Sequence, residues 1–160
     1  MGMKGNRVGR LILLCGLPGS GKTTLARRLA DELPAVRLCP DEWLTGLDID
    51  LFETEARDRM EDLLRQHAYH LLALGQKVIL EFGFWARAER EELRLRARAL
   101  GAAVELIYLD VPLAELWRRV EARGREGGAP ISKRSLERWA QAFQAPDPSE
   151  LALFDEPLRR

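Results

Sequence analysis

Gly16-Leu17-Pro18-Gly19-Ser20-Gly21-Lys22-Thr23 satisfies the spacing G-x-x-x-x-G-K-[ST] at every required position. The flanks narrow the fold further. Arg10 to Cys15 in front of it is apolar, rich in Leu and Ile and without alternation, which suits a strand buried on both faces of a parallel sheet. Behind it, Leu25, Ala26, Leu29, Ala30 and Leu33 recur at helical spacing, and Pro34 stops the helix. A loop that wraps phosphate needs inward backbone N–H groups, and glycine permits both the torsions and the close approach. The helix that follows presents unpaired N–H groups and the positive end of its dipole to the same anion. Lys22 adds a charge that reaches the β and γ phosphates, and the Thr23 hydroxyl is placed to ligate Mg²⁺. The expected nucleotide-binding set is therefore Gly16, Leu17, Pro18, Gly19, Ser20, Gly21, Lys22, Thr23 and the adjacent Thr24, with ATP or GTP and Mg²⁺ as ligands.

Strand and helix patterns alternate along the rest of the chain. Ala35 to Cys39 reads as a second strand, after which Pro40, Asp41 and Glu42 turn the chain away; residues 43–52 read as loop or short helix. From Thr54 to Leu74 a long helix is expected, with Met60, Leu63, Leu64, His67, Leu71 and Leu74 on its apolar face and Gly75 as its stop; His67 is expected to be packed and His70 exposed. Lys77 to Phe82 is a third strand, Arg87 to Leu100 a charged helix, and Ala103 to Leu109 a fourth strand. Pro112 opens a helix that runs to Gly124, and a loop from Arg125 to Pro130 carries Gly127 and Gly128. Ser132 or Ser135 caps a final helix through Leu136, Trp139 and Phe143, while Leu151 to Phe154 reads as a fifth strand, a short helix or an ordered tail. Such alternation argues for a parallel sheet with helices on both faces and right-handed crossovers, binding ligands at the carboxyl ends of its strands. Gly16 to Thr23, Asp41, Glu81 and the loop after Asp110 all fall at those ends.

Composition excludes other classes. With 160 residues the chain has the length of one domain, 1–160, and its 25 Lys plus Arg balance 25 Asp plus Glu. At 46% hydrophobic and 31% charged it matches a globular protein. The apolar runs fall far short of the roughly 20 residues that span a bilayer. The basic start, Met1 to Arg7, leads through a broken apolar run into the glycine loop, so no signal peptide is read and a cytoplasmic location is expected. Cys15 and Cys39 are too few for a disulfide framework or a metal site of their own.

Four stretches carry a resemblance: GLPGSGKTTLARRLA (Gly16 to Ala30), CPDEW (Cys39 to Trp43), RRVEAR (Arg118 to Arg123) and WAQAFQAPDPSE (Trp139 to Glu150). Together they resemble the small P-loop kinases grouped with polynucleotide kinase, zeta toxin and chloramphenicol phosphotransferase, and more distantly adenylate and gluconate kinases. The resemblance implies an α/β three-layer sandwich whose parallel sheet of four or five strands has the order 2-3-1-4-5, with an arginine-bearing lid at about 118–134. That order would separate Cys15 from Cys39. It gives Asp41 the place of the acid that approaches the acceptor hydroxyl, a role that phosphoryl transfer asks of a carboxylate, with Glu42 as substitute. Glu81, at the end of the third strand, resembles a Walker B acid that holds Mg²⁺ through water. Arg119 and Arg123, four apart and so on one helix face, become clamps for the triphosphate, although Glu115, Glu121 and Glu126 are near enough to pair with the arginines of this helix. The expected catalytic residues are thus Asp41, Lys22, Arg119 and Arg123, and the metal ligands Thr23 and Glu81.

Other residues keep two readings. Arg87 and Arg90 either bind an anionic group of the acceptor or pair with Glu91 and other acids. Trp43, Phe52, Phe82, Phe84 and Trp85 line an acceptor pocket or pack in the core. The expected function is transfer of the γ-phosphoryl group to a hydroxyl of a small molecule such as an antibiotic, sugar or nucleoside. The alternatives are a 5′-hydroxyl polynucleotide or RNA kinase and a nucleotide-dependent regulatory ATPase. Balanced charge and the replacement of a polar stretch by Gly83, Phe84 and Trp85 argue against the nucleic-acid acceptor.

Overall fold

The order in which apolar residues alternate along the first strand already sets the layers. In a computed structural model, which describes residues 8–158, β1 (Arg10–Cys15) sends Leu11, Leu13 and Cys15 to one face of a sheet and Ile12 and Leu14 to the other. The second face is covered by α1 (Lys22–Glu32) through Ala26 and Leu29. β2 (Val36–Leu38), β3 (Lys77–Gly83) and β4 (Ala103–Tyr108) complete a four-stranded sheet of order β2-β3-β1-β4, with every pairing parallel. α2 (Pro40–Gly46), α3 (Thr54–Ala73) and α4 (Arg87–Ala99) line the first face through Leu44, Leu64 and Leu93. A third, smaller cluster joins Leu17 of the glycine loop to Leu116 of α5 (Leu113–Arg125) and Leu136 of α6 (Lys133–Ala142).

The fold is the expected α/β sandwich, with differences that have physical causes. α2 starts at Pro40, earlier than the irregular segment read from the sequence, because proline fits the first helical position, and Asp41 and Glu42 lie in that first turn. On α3 the buried stripe is Met60, Leu64, Ala68 and Leu72, so Leu63, Leu74 and His67 are exposed, contrary to the expected face. Small residues decide this rotation: a Cβ on Gly9 would stand 2.6 Å from the Leu72 carbonyl oxygen, and Ala68 is fully buried. Of the two serines, Ser132 is the cap of α6, its Oγ accepting from the Ser135 N–H at 3.0 Å.

The described sheet has no fifth strand. Leu151 instead ends a short helix, α7 (Pro148–Leu151), and the chain then runs along β4, where Asp155 N–H donates to the Val104 carbonyl and accepts, through Oδ2, from the Val104 N–H, both at 2.7 Å. The outer edge of β4 is thereby paired at Val104. Cys15 and Cys39 are free, and β3 stands between their strands. No described helix is long and apolar enough to cross a membrane. The basic segment 1–7 lies outside the described residues.

Candidate functional site

The glycine loop begins where β1 stops being a regular strand. Its pairing with β4 runs unbroken to Cys15, but against β3 the register shifts between Leu13 and Cys15, and Gly16 N–H then donates to the Gly83 carbonyl at 3.0 Å. Two left-handed turns of the backbone, Gly19 at φ 85° and Gly21 at φ 95°, carry the chain round to α1. At Gly19 a side chain would also crowd α5, since a Cβ would sit 3.0 Å from Val120 Cγ2 and 3.1 Å from the Leu116 carbonyl oxygen. The first intrahelical bond is that of Leu25 N–H to Gly21, which leaves the N–H groups of the turn before it for an anion.

Lys22 curls back over this loop, its Nζ donating to the Gly16 and Leu17 carbonyls at 2.9 and 3.0 Å. Burial pulls its pKa down to about 8, while Glu81 and then Asp41 pull it up and Arg123 adds to the lowering. Three of the expected site residues thus bear electrostatically on Lys22. The Ser20 hydroxyl is buried and has no hydrogen-bond partner among the described residues.

Thr23 and Glu81 meet directly, the threonine hydroxyl donating to Glu81 Oε1. The other oxygen, Oε2, accepts from Arg37 Nη1 at 2.7 Å. Arg37 also donates to Glu42, whose Oε1 accepts in addition from Arg27 Nη2 at 3.0 Å. Hydrogen bonds from Arg37 first, and Arg27 next, hold the Glu42 carboxyl below its ordinary range. Glu42 is therefore engaged in this network, while Asp41 beside it, exposed as Glu42 also is, stands outside it and pairs with α3 instead. Its Oδ1 accepts from Arg57 Nη2 at 2.5 Å, and Arg57 is itself anchored to the Leu51 carbonyl through Nε and Nη2 at 3.1 and 3.0 Å.

A hydroxyl that donates its proton to Glu81 keeps both lone pairs for a cation, so Thr23 and Glu81 fit a magnesium site. Among the described residues no group of three or more His, Cys, Asp or Glu side chains could hold a metal alone. The remaining ligands would have to come from a nucleotide and water.

On α5, Arg119 Nη1 donates to the Gly19 carbonyl at 3.2 Å and its Nε to Glu115 Oε1 at 2.7 Å. Arg118 grips the same glutamate, at 2.7 and 2.8 Å, and Arg125 pairs with Glu121 at 3.0 Å. Arg123 is exposed one turn beyond Arg119, and its reach towards the loop is electrostatic.

Two readings left open by the sequence are decided by the packing, Arg90 as the partner of an acid and some of the aromatic residues as core. Arg90 is fully buried and forked onto Glu150, with Nε to Oε1 at 2.6 Å and Nη2 to Oε2 at 2.9 Å, while Nη1 donates to the Phe84 carbonyl at 2.8 Å. It pairs with neither Glu91, which is held by Arg94, nor any group open to an acceptor. Arg87 remains on the surface beside Asp147 at 3.6 Å. Nor do the aromatic residues form one wall. Phe84 is core, stacked on Phe82 at 5.4 Å, and Trp85 lies against Trp139 at 5.9 Å. Trp43 and Phe52 are about half exposed and line separate grooves, Trp43 with His67 and Phe52 with Asp48 and Pro130.

The sequence reading missed Arg37, Arg57 and Glu150. The signal for Arg37 was a lone charge inside an apolar strand. Glu150 had none, because its partner lies 60 residues away.

Comparison with known proteins bears on the family and the fold. A family model described as an AAA domain matches residues 11–146. A guanylate kinase from Ruegeria pomeroyi (strain ATCC 700808 / DSM 15171 / DSS-3) is 28% identical over 160 positions, covering 84% of this chain and 72% of that protein. Among solved structures, a chain of the Pnkp1/Rnl/Hen1 RNA repair complex superposes with a TM-score of 0.76 at 23% identity, over 96% of this chain but only 49% of that one. This chain thus spans about half of its length. A gluconokinase from Sinorhizobium meliloti 1021 superposes with a TM-score of 0.60 at 18% identity, over 89% of this chain and 79% of that one. At these identities the superpositions speak for the fold.

Proposed function

We propose, because this chain belongs to the AAA-domain family of small P-loop kinases and so binds a nucleoside triphosphate, that it transfers the γ-phosphoryl group of ATP to a hydroxyl of a small molecule. The observation that carries the reading is Asp41, exposed at the first turn of α2 while its charge acts on the half-buried Lys22. In this mechanism the Asp41 carboxylate accepts the hydroxyl proton as the acceptor oxygen bonds to the γ phosphorus. The bond from that phosphorus to the β–γ bridging oxygen breaks, and the electron pair leaves with ADP. Lys22, the N–H groups of Gly19 and of Gly21 to Thr24, and Arg119 stabilise the charge on the phosphate oxygens; Arg123 joins them when residues 118–134 close as a lid. Mg²⁺ bound with the nucleotide, held by Thr23 directly and by Glu81 through water, would supply further neutralisation of those oxygens.

A second reading has its own support. The guanylate kinase relative, together with the Arg57 guanidinium beside Asp41, favours an acceptor that carries phosphate. Incubation with γ-labelled ATP and Mg²⁺ against antibiotics, sugars, nucleosides, nucleoside monophosphates and 5′-hydroxyl oligonucleotides separates the two. Label on a small hydroxyl compound is expected. Label on a monophosphate would establish the second reading, label on the oligonucleotide a polynucleotide kinase, and free phosphate alone a regulatory ATPase.

A further inference from the structure

Glu81 is buried to 8% exposure, and each of its oxygens has one defined partner: Thr23 on the glycine-loop helix for Oε1, Arg37 on β2 for Oε2. Arg37 is itself largely enclosed, its side chain 14% exposed, and its second Nη reaches Glu42, the neighbour of Asp41. The contacts run Arg27, Glu42, Arg37, Glu81, Thr23, leaving α1 and returning to it by way of α2, β2 and β3. We propose that Arg37 is a positioning residue of the site: it holds Glu81 turned towards Thr23, so that the Thr23 lone pairs face the magnesium of the nucleotide complex. The inference rests on the reading of Glu81 as the metal-side acid.

The physical argument concerns rotation and charge. A carboxylate fixed at one oxygen only can swing about its own bonds, and a buried one left without its cation is driven to move. That movement would withdraw the acceptor that fixes the Thr23 proton, and the hydroxyl would then be free to turn its hydrogen towards the cation. Partners that orient a metal ligand in this way typically change metal affinity by about 10- to 100-fold when removed. Arginine is required because its planar fork meets two carboxylates on different elements, Glu81 and Glu42, which a lysine ammonium cannot span with the same geometry.

Calorimetric titration with the β,γ-imido analogue of ATP, with and without Mg²⁺, tests this without any phosphoryl transfer. In the wild type Mg²⁺ is expected to tighten binding. Arg37→Gln is expected to lose about tenfold of that gain while its Mg²⁺-free affinity stays within about twofold. Arg37→Lys should lose part of the gain, at least about threefold, and it decides the matter if the glutamine variant does not fold. A full Mg²⁺ gain in either folded variant overturns the proposal. So does an equal loss with and without Mg²⁺, which would mean general damage to the loop, and so does a wild type indifferent to Mg²⁺. Glu81→Gln, measured beside them, separates the two levels: loss of the gain in Glu81→Gln alone overturns only the role of Arg37, and retention in both overturns the metal reading of Glu81 with it.

Discussion

The loop side of the site is one continuous stretch, Cys15 to Thr24, shaped by left-handed glycines and by the start of a helix, whereas the side around Asp41 is assembled from α2, β2, β3 and α3 by ion pairs. In the first, backbone groups do the binding and the spacing of residues in the chain is the spacing in space. In the second, Arg57 reaches Asp41 across 16 residues and Arg37 reaches Glu81 across 44. A motif can record the first kind of site but not the second.

The comparison predicts a large effect on the loop side, without loss of fold. Lys22→Ala is expected to lower turnover by about 10²- to 10³-fold, as removal of one preorganised donor to a developing anion does. Its far-UV circular dichroism should be unchanged, because the loop is shaped by Gly19 and Gly21 and not by the lysine. Where side chains form the framework, stability should suffer instead. Glu150→Gln leaves Arg90 fully buried without its counter-charge and is expected to cost about 3–5 kcal/mol in denaturant unfolding. An unchanged midpoint would mean that α7 merely lies beside α4.

Glu61, on α3, gives a smaller and pH-dependent effect. Burial first, and the charge of Glu89 next, push its carboxyl from 4.5 up to about 7, with Arg57 and Arg65 opposing at 3.7 Å each. A carboxyl raised on folding binds more protons in the native state, so its contribution is complete below the unfolded value of 4.5 and is lost as pH rises through about 7. Glu61→Gln is therefore expected to flatten the fall in unfolding free energy between pH 4.5 and 7 and to be more stable than wild type at pH 8, by on the order of 2 kcal/mol. Parallel stability curves would contradict it. Smallest of all, Arg118→Ala should leave turnover within about twofold, since its partner Glu115 is held on the surface. Arg119→Ala, which also loses the contact to the Gly19 carbonyl, should weaken nucleotide binding more than Arg118→Ala does.

What was legible in the sequence follows the same division. Strands and helices were recovered because apolar periodicity is a local property, and the strand order came from the resemblance to P-loop kinases. The face of α3 was misread because its orientation depends on how closely Leu72 approaches Gly9, a contact between elements. His67 went with it. Arg90 was left between acceptor and ion pair because nothing near it in the chain announces Glu150. Asp41 was singled out through CPDEW, and the arginine that pairs with it was not, since a single Arg57 in a charged helix carries no signal of its own.

The separation of the two sides is tested most directly by Asp41→Asn, with ATP affinity measured by calorimetry and transfer measured with the acceptor found in the panel. Affinity should stay within about twofold, and transfer should fall by about 10²- to 10⁴-fold, the range supplied by a general base. Unchanged transfer would remove Asp41 from the chemistry, and a parallel loss of ATP affinity would show that the two sides are not separable.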